Sequence, residues 1–275
     1  MSNMAGQNCG KLNPLLAELG DGWLVPSPWL SARGYTRSLL GHYVQRGWLQ
    51  SPARGVFHRA GSKPSWQTVV FSLQRLTGLP LHVGGRHALS LQGQDHYLRM
   101  RPATVTLYGR ARLPGWVNQL GLPETFTVLP DAKLELTPLT TGLLADPDKL
   151  REAGLDLMPG DRPDSPLAAA LPERAILELL LGVPQTASAA EADAILQGTS
   201  RLRPALMSAL LRRCASVKVK RLFLALAERH DHAWFAHLDL EGVELGTGNR
   251  VLRAGERLHP KYRISLPRDL DEQLG

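Results

Sequence analysis

The sequence has no aspartate or glutamate between Gly22 and Gln94. Residues 22–123 contain only one acid, Asp95, against twelve lysines and arginines, a net charge of +11 in a chain whose total is +7. Charged residues make up about a quarter of an average protein, so an acid-free stretch of this length is unusual. It indicates a part of the chain that binds a polyanion, the alternative being a solvated arginine-rich surface.

Cysteines and long apolar runs are also scarce. The two cysteines, Cys9 and Cys214, show no CxxC spacing, which argues against a disulfide framework and against a cysteine metal site. No apolar run approaches the roughly 18–20 residues that span a bilayer. The start, MSNMAGQNCGKLNP, lacks the basic and apolar regions of a signal peptide. We therefore expect a cytoplasmic protein with no membrane partner.

Motifs of enzymes are missing as well. There is no GxGxxG, P-loop, HExxH or GxSxG, and no Gly-Ser followed by Asp-x-Asp. The segment ERHDHAWFAH places His230, Asp231 and His232 together, but residues 230 and 232 diverge on a helix, and on a strand Asp231 points the other way. We expect an ordinary helix end there. We therefore predict no catalytic residues, no metal and no cofactor. Three further histidines could flank a basic surface, but such residues are more often surface or core residues: His82, His87 and His96.

The first 60 residues contain the capping and turn residues expected of three short helices followed by a hairpin. Asn13 with Pro14, and Ser27 with Pro28, are typical of helix starts, and Gly20 and Gly34 of helix ends. Thr36 is expected to cap a third helix that ends at Gly47. WLQ and GVFHR then read as two strands around a turn, SPARG.

This order of elements predicts a winged helix-turn-helix whose third helix enters the major groove of DNA. Arg37, Gly41 and Gln45 recur on one side of that helix, and Arg54 lies at the tip of the wing. Arginine and glutamine can read guanine and adenine edges, and glycine permits close approach. The alternative is a winged helix used for protein contacts. The predicted DNA-binding residues are Arg33, Thr36, Arg37, Ser38, Gly41, His42, Gln45, Arg46, Arg54 and Arg59.

The rest of the chain mixes helices and strands. After a linker at 60–64, residues 65–78 are expected to form a helix that Ser65 caps and Gly78 ends. ATVTLYG and TFTVLP are expected to form strands, and PERAILELLLG and SAAEADAILQG helices. SRLRPALMSALLRRCASVKVKRLFLALAERH predicts two helices with a break at 214–216, and the last stretch two strands around a turn at 253–256. The fold class is therefore α+β, with a winged helix-turn-helix at 1–60, a linker and connecting helix at 61–78, and a mixed, then mainly helical, domain at 79–275.

A basic cluster interrupts the more acidic second half. Its members are Arg212, Arg213, Lys218, Lys220 and Arg221. The cluster could bind RNA or an acidic partner. Alternatively, it is the charged outer face of a helix pair that buries Leu210, Leu211, Leu222 and Leu224.

The whole chain resembles the AbiEi antitoxin family of type IV toxin–antitoxin systems. The resemblance rests on GWLQSPARGVF, LHVGGRHALSLQGQDHYL, PERAILELL, VKVKRLFLALAE and KYRISLP, in that order. It implies a winged helix that binds inverted repeats in double-stranded operator DNA and represses the operon. It also implies a C-terminal domain that counters a nucleotidyltransferase-like toxin without a stable complex, with the basic cluster as antitoxin surface. A general winged-helix regulator with a C-terminal protein- or RNA-interaction domain is the alternative.

Overall fold

A computed structural model describes residues 3–93, 104–253, 255–267 and 270. The helices are α1 (Asn3–Glu18), α2 (Ser27–Ala32), α3 (Arg37–Gln45), α4 (Trp66–Phe71), α5 (Gly85–Leu91), α6 (Thr141–Leu144), α7 (Pro147–Glu152), α8 (Pro172–Leu181), α9 (Ala189–Gly198), α10 (Pro204–Arg213) and α11 (Val217–Glu228). The strands are β1 (Val25–Pro26), β2 (Leu49–Ala53), β3 (Val56–Arg59), β4 (Leu81–Val83), β5 (Thr104–Gly109), β6 (Thr125–Leu129), β7 (Leu155–Met158), β8 (Leu167–Ala170), β9 (Arg257–Leu258) and β10 (Ser265–Leu266).

The N-terminal part is a winged helix-turn-helix, as predicted. Strand β1 follows α1, helices α2 and α3 come next, and the hairpin β2–β3 completes a three-stranded sheet in the order β1-β3-β2. Leu12, Leu15 and Leu19 of α1 pack in one hydrophobic cluster with Leu40 and Tyr43 of α3. The apolar stripe of α1 therefore supports the helix that presents the predicted DNA-binding residues.

The start of α1 was predicted wrongly. The helix begins at Asn3, so Asn13 does not cap it and Pro14 lies inside it. Gly20 is not left-handed either, and the residue with a positive φ (+77°) is Gly22. A Cβ on Gly20 would lie 2.3 Å from the Trp23 indole, so glycine is required there for close packing.

The wing is longer and its turn tighter than predicted. Ala53 of β2 pairs directly with Val56 of β3, so only Arg54 and Gly55 form the turn and residues 51–53 belong to the strand. Strand β1 adds a third strand by pairing Val25 with Phe57. Two residues are too few to show an alternation of apolar and polar side chains, so β1 could not be predicted from the sequence.

The helix predicted for residues 65–78 has two parts. Ser65 caps α4 through a capping box with Thr68, as expected for a cap. One turn of π-helix, Ser72–Leu76, then continues it and ends at Gly78, whose φ is +66°. Val69 and Leu73 lie in the larger hydrophobic core. This core also contains Leu24 and Val56 of the winged helix, so the two parts are packed together.

The larger part is built on a mixed five-stranded sheet in the order β6-β5-β4-β8-β7. β4 pairs antiparallel with β5 and parallel with β8, while β6 lies parallel to β5. Helix α8 is central and packs against α5, α9, α10 and α11. The predicted fold class, α+β, is confirmed; the domain boundaries 1–60, 61–78 and 79–275 remain a prediction.

The C-terminal helices follow the sequence closely, but the last strands do not. Pro172, Pro204 and Ser188 stand at the predicted helix starts, and Cys214–Ser216 separates α10 from α11. Strands β9 and β10 both lie after the turn predicted at 253–256 and are joined through residues 259–264. Among the helices of the described residues, none combines the length and apolar character that a membrane crossing requires.

Candidate nucleic-acid interface

Helix α3 is positioned by its cap and by one buried side. The Thr36 hydroxyl accepts a hydrogen bond from the backbone N–H of Leu39 at 3.3 Å, which is the predicted N-cap. Leu40 and Tyr43 are buried in the smaller core. Because helical residues return to the same side every three or four positions, this burial fixes which residues of α3 face outwards.

The outward side of α3 presents Arg37, Gly41 and Gln45, all exposed. A Cβ on Gly41 would meet no atom within 4 Å, so nothing inside the protein requires glycine at this position. Ser38 and Arg46 are exposed beside the row. Arg37 and Gln45 therefore lie about two helical turns apart, and Gly41 leaves a gap on the turn between them.

An open groove of about 560 Å³ separates this row from the wing. Its polar walls include Arg37 and Gly41 from α3, Ser51 and Arg54 from the wing, and Ser27 and Ser31 from α2. None of these residues is acidic. A groove with arginines on two of its walls suits a chain of phosphates, because each contact releases a counterion.

Ser27 fixes the wing turn relative to α2. Its backbone N–H donates to the Gly55 carbonyl oxygen at 2.8 Å, and its hydroxyl donates to the same oxygen at 3.0 Å. The prediction that Ser27 caps α2 is therefore wrong, since its hydroxyl is used on the wing and Pro26 stands at the cap position. The exposed Arg54 is held at a fixed place opposite α3.

Arg33 is engaged within the protein. Its Nε donates to Glu18 at 2.8 Å, and its guanidinium lies 3.4 Å from the centre of the Trp29 ring. The contact neutralises Glu18, the second carboxylate before the acid-free stretch. The nearest one, Asp21, pairs with Arg162. The two carboxylates that precede the acid-free stretch are thus paired with arginines, which limits their effect on its positive potential.

Other predicted residues lie at the edges of the groove or away from it. His42 is half-buried, its ring centre 6.0 Å from that of Trp48. Arg59 is exposed at the end of β3 remote from the turn, so it does not line the groove. Next to it, the His58 Nδ1 lies 3.0 Å from both the Arg59 carbonyl and the Ser62 hydroxyl. Burial lowers the pKa of His58, which favours a neutral ring at the base of the wing.

The predicted antitoxin surface is not one continuous face, and this is a correction. Lys220 and Arg221 are buried. The Arg221 guanidinium donates to the carbonyl oxygens of residues 245, 246, 248 and 263, which ties a C-terminal loop to α11. Lys218 donates to the Leu181 carbonyl at 2.8 Å and so caps the end of α8. Of the five, only Arg212 and Arg213 are exposed. A helical pattern in sequence cannot show which face a later loop will cover.

The histidines have structural partners. His230 lies 2.9 Å from Asp193, and the His232 Nε2 lies 2.8 Å from the Leu196 carbonyl. No group of three or more metal-ligating side chains is found within the described part of the chain. His96 lies outside the described residues. Burial raises the pKa of the Cys214 thiol, which lowers its reactivity, and the Cys9 side chain is not described.

Sequence reasoning missed a buried charged network. The Glu178 carboxylate accepts from Arg174 Nε at 2.8 Å and contacts His82 Nε2 at 2.7 Å, and all three side chains are fully buried. Burial alone would raise the pKa of Glu178, but His82 and Arg174 hold it below its ordinary value. Burial lowers the pKa of His82, so the neutral ring donates its Nε2–H. The i,i+4 pair inside the apolar run PERAILELL was the available signal.

The fold and the sequence are both similar to known proteins. The RV2827C protein from Mycobacterium tuberculosis, a solved structure, is similar with a TM-score of 0.53 and 16% identity over 96% of this chain and 93% of that chain. At this identity the likeness concerns the fold alone. A search of curated protein sequences finds no significant match.

Two family models together match nearly the whole chain. Residues 8–100 match the N-terminal domain of the AbiEi antitoxin, a transcriptional regulator, and residues 102–267 match the model described as transcriptional regulator, AbiEi antitoxin, type IV TA system. The matched segments contain both the winged helix and the five-stranded sheet. The chain belongs to the AbiEi antitoxin family of type IV toxin–antitoxin systems.

Proposed function

We propose that this protein binds inverted repeats in its own operator through α3 and the wing, and so represses its operon. The observation that supports this is the exposed row of Arg37, Gly41 and Gln45, of which Arg37 and Gly41 line an acid-free groove with Arg54 on its far wall. Helix α3 buries the opposite side, so the row is free to enter the major groove. Two copies would occupy half-sites about one helical turn, or a multiple of it, apart.

Each proposed contact has its own chemistry. The Arg37 guanidinium, at the start of α3, has the two parallel donors that guanine O6 and N7 accept, and the Gln45 amide matches an adenine edge. Ser38, Arg46 and Arg54 would hold phosphates and so fix the register. Thr36, Arg33 and His42 would act by positioning: Thr36 as cap of α3, Arg33 on Trp29 and His42 against Trp48. Arg59 would reach only flanking phosphate.

The binding experiment compares Arg37→Ala with Arg201→Ala, an equal loss of charge at an exposed arginine outside the groove. Fluorescence anisotropy is measured on the DNA upstream of the operon and on scrambled duplex at fixed salt. We expect Arg37→Ala to cost about 1–3 kcal/mol on operator and to reduce base preference. Arg201→Ala should bind like the parent. Equal effects of both substitutions, or salt-insensitive binding by the parent, would sink the proposal.

We also propose that the C-terminal part counters a nucleotidyltransferase-like toxin without forming a stable complex and without catalysis of its own. What supports it is the membership in a family described as an antitoxin of a type IV system. In this division residues 1–60 bind DNA, 61–78 connect, and 79–275 neutralise the toxin, with the exposed Arg212 and Arg213 retained as candidates.

A separation of the two activities tests this division. The full chain carrying Arg37→Ala and Gln45→Ala is expressed beside the neighbouring toxin, with a reporter under the operon promoter. Repression should be lost while rescue from the toxin persists. Arg212→Ala with Arg213→Ala should do the reverse. Loss of both activities together in a folded variant would contradict separate roles.

The alternative is a general winged-helix regulator whose C-terminal part binds a protein or RNA. One observation favours a protein contact: Val251 is 67% exposed and Leu258 37% exposed, both near the C-terminal strands. Absence of rescue by the parent protein, with operator binding intact, would favour this alternative.

A further inference from the structure

A second cavity, of about 300 Å³, lies over the five-stranded sheet, far in sequence from the winged helix. Its walls include Thr104, Thr106 and Tyr108 of β5, Thr127 of β6, Arg86 of α5 and Thr186 after α8. Cavities of this volume are at the lower limit of small-molecule sites. The walls carry several hydroxyls and one cation, and no carboxylate is among the lining residues.

The cation has an unused donor. The Arg86 guanidinium pairs with Glu191 through Nη2, while its buried Nε has no hydrogen-bond partner among the described residues. An unpaired donor removed from water is costly, and on a charged group more so. The Nε itself is closed off from solvent, but the Arg86 side chain is 31% exposed and lines the cavity, so an oxygen acceptor in the cavity can reach the rest of the guanidinium.

The hydroxyls lie side by side on neighbouring strands. Thr106 pairs in register with Thr127 across the parallel strands β5 and β6, and successive odd or even residues share one face of a sheet. Neither hydroxyl makes a hydrogen bond to a described residue, whereas Thr104 is bonded to Thr125 at 2.8 Å. Two unused hydroxyls next to an arginine form a set of donors suited to phosphate oxygens.

The wall behind these groups is held rigid by the buried charged network. The Tyr108 hydroxyl donates to the Glu178 backbone carbonyl at 3.1 Å, and the Gly85 N–H donates to the Glu178 carboxylate at 3.1 Å. A Cβ on Gly84 would lie 2.1 Å from that carboxylate. Glu178 therefore holds β5 through its backbone carbonyl and the start of α5, just before Arg86, through the carboxylate that Arg174 also contacts. Donors held in place in this way lose little entropy when a ligand binds.

We infer that this cavity binds a small phosphate monoester of sugar-phosphate size, with the phosphate on Arg86 and the hydroxyls of Thr106 and Thr127. The volume leaves room for a ligand of about that size. The Glu191 carboxylate shares Arg86 with the ligand, so it limits the affinity for an anion. The inference does not depend on the proposed DNA binding.

Isothermal titration calorimetry of the full chain tests it with ribose 5-phosphate, ribose and inorganic phosphate. We expect ribose 5-phosphate to bind at least about tenfold more tightly than ribose. If ribose 5-phosphate binds more tightly than inorganic phosphate, the site recognises a phosphate monoester. If the two bind equally, the site recognises only the phosphate anion, and the assignment of a monoester is overturned. No heat from ribose 5-phosphate at about 10 mM would overturn the inference entirely.

Four variants assign the residues. Arg86→Gln should weaken ribose 5-phosphate binding by about tenfold or more, and Thr127→Val, which keeps the shape, by several-fold. Glu191→Gln should strengthen binding, because Arg86 loses its competing carboxylate; a purely structural ion pair predicts no gain. Arg112→Gln, at an exposed arginine outside the cavity, is the charge-matched control and should bind like the parent.

Thermal unfolding of each variant shows whether a loss of binding results from a loss of folding. If Arg86→Gln does not fold, Thr127→Val and Glu191→Gln still test the site. Unchanged affinity in both Arg86→Gln and Glu191→Gln would overturn the assignment. Operator binding by Arg86→Gln should equal that of the parent. Displacement of ribose 5-phosphate by duplex DNA would instead place the cavity in the DNA interface and contradict a small-molecule site.

Discussion

Gly41 is an exposed glycine inside a helix whose conformation does not require it. Glycine in a helix interior costs about 0.5–1 kcal/mol relative to alanine, and the space around its Cα is empty. Gly41 therefore lowers the stability of the folded protein. A missing side chain at this position is useful if another molecule approaches this side of α3 closely. Replacing Gly41 with a larger residue should therefore increase the stability of the protein and decrease its affinity for operator DNA.

Gly41→Ala should raise the free energy of unfolding by about 0.5–1 kcal/mol while weakening operator binding by about tenfold. The matched control is Gly142→Ala, at an exposed glycine in α6 where an added Cβ would meet only the Thr140 hydroxyl, at 4.0 Å. It should leave operator affinity unchanged. Urea denaturation and anisotropy measure the two quantities. If Gly41→Ala binds operator as well as Gly142→Ala, α3 does not approach DNA along this side.

Arg221 illustrates how a charge in a basic cluster can be a core residue. It is 2% exposed, and its guanidinium donates to four backbone carbonyls. Removing it takes this donor away from the carbonyls of Leu245, Gly246 and Gly248, while the Arg263 carbonyl keeps the hydrogen bond from the Arg250 N–H.

Arg221→Ala should lower the free energy of unfolding by about 3 kcal/mol, measured by urea denaturation. Arg213→Ala, from the same cluster but exposed, should change it by no more than about 0.5 kcal/mol. Similar small effects for both would show that Arg221 is solvated and that the basic cluster is a surface after all.

At the scale of elements, the wing is a hairpin tied at both ends. Ser27 holds its turn, and His58 with Ser62 holds its base. The pKa of His58 is lowered by burial, so the unfolded chain binds a proton more readily than the folded one. The stabilisation from the neutral ring is present above the unfolded pKa and is lost as the pH falls below it.

The free energy of unfolding should therefore decrease between pH values of about 7.5 and 5.5, the range in which unfolded histidine titrates. His82, whose pKa burial also lowers, contributes with the same sign. His58→Gln should reduce the decrease without abolishing it. Urea denaturation at a series of pH values measures this. A free energy of unfolding that rises on acidification through this range would contradict the neutral state of both rings.

At the scale of the whole molecule, the winged helix is fastened to the sheet of the larger part. The Trp23 indole N–H donates to the Ser165 hydroxyl at 2.7 Å, and the Leu24 N–H donates to the Ser72 hydroxyl at 2.9 Å. Trp23 also packs on Phe71, with ring centres 4.5 Å apart. These contacts join the winged helix, the π-helical turn and the loop before β8. The winged helix, which carries most of the positive charge, is therefore held in a fixed orientation relative to the larger part of the protein.

Operator binding by the full chain should weaken steeply with salt, with a slope of about −0.9 per phosphate contacted. Arg54→Ala should make the slope less steep by about one unit per wing and lower affinity similarly on operator and scrambled duplex. Arg201→Ala should leave the slope unchanged. Anisotropy over a range of salt concentrations gives these slopes. A selective loss on operator would mean that Arg54 reads bases.

Much of this fold could be predicted because local chemistry determines it. The Thr36 and Ser65 caps and the left-handed Gly34 and Gly47 depend on neighbouring backbone, and the structure places them as expected. The order of helices and hairpin followed, and with it the winged helix. Strand β8, LAAA, was missed because alanine favours strands poorly and its burial comes from elements distant in sequence.

The sequence by itself determined where charge is placed and which side of α3 is polar, since periodicity and composition are local properties. Tertiary structure alone decided which charges are buried or paired: Arg221 is covered by a loop that follows α11, and Arg33, although exposed, is paired with Glu18 of α1. It also decided that Ser27 holds the wing and that Arg86 faces a cavity. These depend on contacts between residues far apart in the chain, and burial is a property of such contacts rather than of spacing.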